Sequence, residues 1–127
     1  MSTGLITVKS SLAFQETVTK LKSRIEAKGL KIFTVINHHD NAHHNGFVLN
    51  PTTLIIFGNP KVGAPLMQLN QGIGIDLPMK MLITEKEGIV DVTYNSPNYL
   101  KSRHNLANQA DAILSKVAMM LNALTQL

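Results

Sequence analysis

The sequence contains no cysteine and no tryptophan, and only 16% of its 127 residues are charged. Without cysteine, disulfide frameworks, thiolate nucleophiles and zinc–thiolate sites are excluded. No run of apolar residues approaches the ~20 that a membrane-spanning helix needs. The first residues lack the basic and apolar regions of a signal peptide. We therefore expect a soluble protein with no membrane span, whose compartment, cytoplasmic or periplasmic after signal removal, stays open.

Basic residues exceed acidic ones, 12 against 8, which gives a formal charge of +4 with histidine neutral. Nucleic-acid binding would require these charges to cluster on one face. The densest group lies around one predicted helix and its exit, and it is typical of a solvated helix face: Lys20, Lys22, Arg24, Lys28 and Lys31. Aromatic residues, at 5%, are too few to stack on bases. We expect no nucleic-acid partner.

Hydrophobic residues make up 44% of the chain, which excludes the composition of disordered proteins. At this length one hydrophobic core is expected and a second is not. The sequence therefore predicts a single domain over residues 1–127. Strands near residues 5, 31, 54, 80 and 90, with helices mainly early and late, predict an α+β fold.

The first predicted elements are a strand over Leu5 to Val8 and a helix over Leu12 to Lys28. Ser10 and Ser11 are candidate caps for that helix, and Gly29 supplies a left-handed stop after it. A strand over Leu30 to Asn37 follows. Residues 38–46 are polar and rich in histidine, and they form a loop or a turn or two of helix.

The run Thr52 to Phe57 is apolar on both faces, which predicts a strand inside the sheet rather than at its edge. Because proline disrupts a helix interior, we expect the next helix to start at Pro65, with a loop over residues 58–64. Strands on both sides of Glu87-Gly88 predict a hairpin. A stripe from Leu106 to Leu124 predicts one long final helix of about five turns.

Several blocks of sequence occur in an order typical of one family. They are Ile36 to Ala42, Leu54 to Lys61, Ile75 to Pro78 and Tyr94 to Leu100. In these blocks the chain resembles the family known as domain of unknown function 302. The resemblance implies an α+β fold with a mixed, mostly antiparallel sheet. Together with the predicted elements, this gives about five strands packed against an N-terminal and a long C-terminal helix. The resemblance also implies a homodimer, and no established biochemical activity.

Two positions depart from the pattern of that family. Asn37 stands where the family usually has aspartate before a histidine, so the charge that would orient an imidazole is lost. Ala64 stands where the family usually has threonine, which would remove a capping hydroxyl just before the predicted helix start.

Four of the five histidines lie within seven residues: His38, His39, His43 and His44. In a helix His39 and His43 would share one face, a spacing at which imidazoles bind zinc, nickel or copper. Only His38 matches the family motif. We therefore predict no metal site and no cofactor, and keep the four histidines as weak metal-ligand candidates.

The stretch Gly58 to Pro65 resembles an anion cradle, because glycine and Lys61 follow a buried strand and precede a helix start. It lacks the spacing of a nucleotide-binding loop. The alternative is a rigid turn built by Asn59 and Pro60.

Asp76 and Tyr94 complete the candidate residues, the first as an acid or a turn cap and the second as a phenol at a strand end. No hydrolase motif is present, so whether the protein is an enzyme stays uncertain. We expect a homodimeric small-ligand-binding or accessory domain, with an anion as one candidate, in which His38, Asn59, Lys61 and Asp76 converge. The alternatives are an enzyme with His38 as acid or base beside Tyr94 or Asp76, and a metal-binding domain.

Overall fold

The computed structural model describes residues 3–127, in which five strands form one antiparallel sheet. The strands are β1 (Leu5–Ser10), β2 (Lys31–Asn37), β3 (Thr52–Gly58), β4 (Met79–Lys86) and β5 (Ile89–Asn95), and their order in the sheet is β1-β5-β4-β3-β2. Each neighbouring pair is antiparallel. The predicted α+β class is confirmed, and β3 lies inside the sheet as its apolar faces indicate.

Five α-helices accompany the sheet: α1 (Phe14–Ala27), α2 (His38–His44), α3 (Pro60–Leu69), α4 (Pro97–Arg103) and α5 (Asp111–Leu124). Two short 3-10 helices lie at Gln71–Ile75 and Asn108–Ala110. The core forms where buried side chains of α1 and α5, such as Leu21 and Leu121, meet the inner sheet face at Ile55, Met81 and Val92. Within the described residues, no helix combines the length and apolar character needed to cross a membrane.

The hairpin and the end of α1 agree with the predictions from glycine positions. Glu87 and Gly88 have φ values of 53° and 79°, as a two-residue hairpin turn with both centres left-handed requires. Gly29 has a φ of 75° just beyond α1. Local backbone chemistry alone therefore determines both of these chain reversals.

The start of α1 differs from the prediction. Its N-cap is Ala13, which makes no side-chain capping bond. Ser10 instead accepts a hydrogen bond from the amide of Leu12 at 3.1 Å and bonds the hydroxyl of Thr17 at 2.6 Å. The serine ties the end of β1 to the first turn of α1 rather than capping the helix.

The predicted helix start at Pro65 is wrong. The helix α3 begins at Pro60, and Pro65 lies inside it. Asn59 caps the start, because its Oδ1 accepts from the amide of Lys61 at 3.0 Å. A proline at the first position costs no hydrogen bond, whereas Pro65 forfeits one to the carbonyl four residues earlier. Ala64 therefore lies within the helix and replaces no cap.

The predicted long final helix from Leu106 to Leu124 is shorter than expected, because α5 begins only at Asp111 and a separate helix, α4, precedes it. The chain leaves α4 at Arg103, passes Asn105 at a φ of 49°, and enters α5 only at Asp111. Leu106 and Ala110 belong to the apolar stripe and are buried, but they lie in the connection. Their periodicity reports burial, and it does not require one continuous helix.

Candidate functional site

The two ends of the sheet differ in what surrounds them. We call the end that holds Gly58, Met79 and Asn95 the Asn59 end, and the end that holds Asn37 and Thr52 the His38 end. The seven residues of β2 separate them by about 20 Å. A cavity lies at the Asn59 end.

This cavity has a volume of about 520 Å³ and lies between the sheet and the helices α3, α4 and α5. It reaches the surface at Phe33 and Met67, which are both partly exposed. Its walls are almost wholly apolar, and the lining residues are Leu30, Phe33, Gly58, Asn59, Pro60, Val62, Gly63, Leu66, Met67, Ile73, Leu77, Pro78, Met79, Pro97, Leu100, Ile113, Leu114, Lys116, Val117 and Met120. Only Asn59 and Lys116 in that set carry a polar side chain.

The Gly58-Asn59-Pro60 motif forms one wall of the cavity. Gly58 ends β3, and an added Cβ there would make ordinary van der Waals contacts with the Pro78 ring at 3.5 Å and the Phe33 ring at 3.9 Å. Asn59 then caps α3 and Pro60 occupies its first turn. The predicted rigid turn is therefore present, and the residues after Pro60 are helical rather than a phosphate-type loop.

Asp76 lies beside this cavity in a charged cluster with Arg103 and His104. Its Oδ1 accepts from Arg103 Nη1 at 3.1 Å, and its Oδ2 lies 2.5 Å from His104 Nε2. The Asp76 and His104 side chains are 13% and 10% exposed. This carboxylate is thus held by two cationic or donor groups and does not line the cavity.

Side-chain contacts join the 3-10 helix at Gln71–Ile75 to the end of α4. Asn70 Nδ2 donates to the carbonyl of His104 at 2.6 Å, and Asn70 Oδ1 accepts from the amide of Gly72 at 3.0 Å. Asp76 and His104 add a side-chain link between the same two segments. Two walls of the cavity are therefore fastened to each other.

Lys80 supports the turn that leads into β4. Its Nζ donates to the carbonyls of Asp76 and Pro78, both at 2.9 Å. Burial lowers the pKa of Lys80, and the nearby negative charge of Asp76 raises it in part. The ammonium group holds backbone that borders the cavity.

His38 lies away from these residues. It begins α2 at the opposite end of the sheet, so Asn59, Lys61 and Asp76 share one end and His38 does not join them. Within residues 3–127 His38 has no hydrogen bond to Asp76 or Tyr94. The predicted convergence of four side chains therefore does not occur.

The histidine-rich segment is a helix, α2, rather than a loop. Asn37 caps it, because its Oδ1 accepts from the amide of Asp40 at 2.9 Å, so the amide that replaces the family's aspartate still performs a structural role. His39 Nδ1 lies 2.6 Å from the carbonyl of Leu49. In the described part of the chain, no three His, Asp or Glu side chains come together as metal ligands.

Tyr94 and Lys61 have different surroundings. Tyr94 is buried in the core near Thr125; burial raises the pKa of its hydroxyl, and the Thr125 hydroxyl lowers it in part. This phenol belongs to the packed core and does not line the cavity. Lys61 is exposed in the first turn of α3, at the Asn59 end.

Sequence reasoning missed Arg103 and His104 as partners of Asp76. They lie three and four residues after the Tyr94 to Leu100 block, at the last residue of α4 and just beyond it, and this adjacent Arg-His pair would have been the available signal. It also missed the cavity, because its walls come from segments far apart in the chain.

A comparison with known protein families shows which family the chain belongs to. Residues 6–124 match the family described as "Domain of unknown function DUF302". The chain belongs to this family. The crystal structure of an uncharacterized conserved DUF302 protein from Bacillus stearothermophilus matches it with a TM-score of 0.86, covering 98% of this chain and 97% of that one. At 19% identity this likeness shows the DUF302 fold.

The curated relatives of this DUF302 chain are proteins that are named as fluoride channels. "Fluoride-specific ion channel FluC 1" of Brucella suis biovar 1 (strain 1330) is 35% identical over 127 residues, which cover 99% of this chain and 50% of that protein. The protein of the same name from Brucella abortus biovar 1 (strain 9-941) is also 35% identical, with 47% of it covered. The chain thus spans about half the length of these relatives.

Proposed function

We propose that this DUF302 domain binds a small apolar molecule in the cavity at the Asn59 end. The observation that carries the proposal is a volume of about 520 Å³ whose twenty lining residues include only two polar side chains. An apolar cavity of ~150 Å³ suffices to bind benzene. By that ratio, the cavity holds a molecule of up to roughly 20 non-hydrogen atoms.

The apolar walls favour this ligand class over a small inorganic anion. An anion inside the cavity would lose its hydration and find almost no donors in return, which is costly. Water has the same difficulty, because an ordered water molecule needs two to four polar partners. An apolar ligand therefore replaces weakly held water and gains by the hydrophobic effect.

A series of straight-chain alcohols tests the proposal. Their displacement of N-phenyl-1-naphthylamine, an uncharged dye that brightens in apolar surroundings, would be measured by fluorescence. Each added methylene that becomes buried contributes up to about 0.8 kcal/mol, so we expect affinity to rise about two- to fourfold per carbon until the cavity is full. Absence of dye binding, or affinity independent of chain length, would contradict the proposal.

Two adjacent methionines of α5 provide a matched pair of variants. Met120 lines the cavity, whereas Met119 is 68% exposed. We expect Met120→Trp to fill the cavity and weaken dye binding at least tenfold, which corresponds to about 1.4 kcal/mol. Met119→Trp should change it less than about twofold. Thermal unfolding of both variants would show that each remains folded.

We also propose that the domain forms a homodimer through the segment between α2 and β3. Phe47 and Val48 are 69% and 100% exposed, and Leu49 beside them is partly exposed. A second copy that covers this apolar segment would remove it from water. Sedimentation equilibrium should show dimers that Val48→Asp converts to monomers, whereas monomers of the unsubstituted chain would refute this assembly.

The curated relatives favour a second candidate, an accessory role beside a channel. The whole of this chain corresponds to about half of each protein named a fluoride channel. We propose that the corresponding half modulates channel activity. Fluoride efflux from liposomes would be compared for the Brucella suis protein, for that protein without the matched half, and for a hybrid that carries this chain in its place. Restoration by the hybrid supports the role, and equal efflux from all three contradicts it.

A further inference from the structure

The two polar side chains of the cavity, Asn59 and Lys116, both carry N–H donors that have no acceptor among residues 3–127. Asn59 uses its Oδ1 to accept from the amide of Lys61, while its Nδ2 has no partner among residues 3–127. Lys116, on α5, forms no ion pair in the same residues. A ligand that reaches both groups must therefore present an acceptor.

Negative charge from the protein is absent from the cavity wall. No Asp or Glu occurs among the lining residues that the structure describes. The nearby carboxylate of Asp76 is already bound by Arg103 and His104. A negative group on the ligand would thus meet the positive charge of Lys116 with no opposing carboxylate on the wall.

The position of Lys116 places that charge at the opening rather than in the interior. The residue is exposed, yet it belongs to the lining together with its buried neighbours on α5, Leu114 and Val117. A long lysine side chain can lie along apolar surface while its ammonium group stays in water. An ionised ligand group at this opening keeps most of its hydration, so its charge need not be buried.

We propose that the cavity selects amphipathic anions. Such a ligand has an apolar body of about ten carbons, which is within the ~20 non-hydrogen atoms that the volume allows, and a carboxylate at the opening beside Lys116 and Asn59. This inference rests on the proposed binding of apolar molecules and names the chemical class of the ligand. Asn59 then has two roles, capping α3 through its oxygen and donating to the ligand through its nitrogen. Lys116 determines the sign of the preferred charge.

The test compares three ligands with the same ten-carbon chain and different ends: decanoate, decanol and decyltrimethylammonium, each below its micelle concentration. They would compete with the uncharged dye for the unmodified protein. Exposed ion pairs contribute modestly, so we expect decanoate to bind about fivefold more tightly than decanol, and the cation to bind more weakly than both.

Charge variants sharpen the comparison. Lys116→Met should remove the fivefold preference for decanoate over decanol, whatever its effect on the binding of the dye. Lys116→Glu should make the cation the preferred ligand. Lys22→Met, which removes an exposed lysine of α1 away from the cavity, should leave the order of the three ligands intact.

Each result discriminates between the two proposals. If none of the three ligands displaces the dye, apolar binding itself fails. If all three displace it equally well, apolar binding stands and anion selection is overturned. A preference for decanoate that survives in Lys116→Glu would likewise overturn the role of Lys116.

Discussion

The two ends of the sheet differ in opposite ways. The His38 end has more reactive side chains in its sequence, whereas the Asn59 end has more of the features of a binding site in its structure. The His38 end concentrates four histidines and an aspartate in one short helix, yet its side chains serve capping and one contact to the carbonyl of Leu49. The Asn59 end has few reactive groups, yet it builds a cavity and an ion-paired aspartate. Reactive residues close in sequence are therefore a poorer guide to a site here than apolar residues brought together by the fold.

The two ends should differ most in the free energy of unfolding that is lost when a carboxylate is removed from each. Asp76→Ala leaves the largely buried His104 and the half-exposed Arg103 without their acceptor, and we expect a loss of about 2 kcal/mol in the free energy of unfolding. The matched control is Asp40→Ala at the His38 end, where the exposed carboxylate accepts only from Asn37 and should contribute less than about 0.5 kcal/mol. Urea denaturation measures both; equal losses would remove the contrast.

A smaller effect concerns Tyr94, whose pKa is raised by burial. Above the ordinary value of about 10 the unfolded chain releases this proton before the folded one does, so stability falls as pH rises through that range. Tyr94→Phe keeps the buried ring and removes only the hydroxyl, so we expect a loss of no more than about 1 kcal/mol at neutral pH. It should also show a shallower decline in alkaline solution.

Denaturation at several pH values from 8 to 11 would give the difference between the two proteins. Lys80, whose pKa is lowered, contributes in the opposite direction because its unfolded form keeps the proton longer. That contribution is present in both proteins and cancels. Parallel pH curves for Tyr94→Phe and the unmodified chain would contradict the role assigned to burial.

The smallest effect should come from the histidines. His43 and His44 are exposed and have no side-chain hydrogen bonds within the described residues. The double variant His43→Ala, His44→Ala should change the free energy of unfolding by less than about 0.5 kcal/mol. Saturating zinc should leave the melting temperature of either protein unchanged, whereas a rise of several degrees confined to the unmodified chain would show that α2 binds metal.

The features predicted correctly from sequence are those with a local cause. A left-handed glycine ends α1, two left-handed residues form the hairpin, and alternating apolar residues mark the strands. The errors arise where tertiary contacts outweigh local preference. The interior Pro65 is tolerated in α3, and a buried connection imitates a helical stripe after Arg103.

The candidate site was predicted less well than the fold, for a related reason. The Gly58-Asn59-Pro60 motif borders the cavity, so these residues lie at the end of the sheet where the cavity is found. The remaining walls come from Leu30, Leu77, Leu100 and α5, whose proximity depends on the whole fold. The same is true of Arg103 and His104, because only the folded chain brings these two residues close to Asp76.

The break between α4 and α5 has a consequence for the separation of two walls of the cavity. As one continuous helix, Pro97 to Leu124 would extend about 42 Å, well beyond the sheet it packs on. The break instead lets Leu100 of α4 and Leu114 of α5 both line the cavity. Residues 104–110 therefore set the separation of these two walls without taking part in any strand pairing, and the buried Leu106 and Ala110 with the His104–Asp76 contact hold that separation.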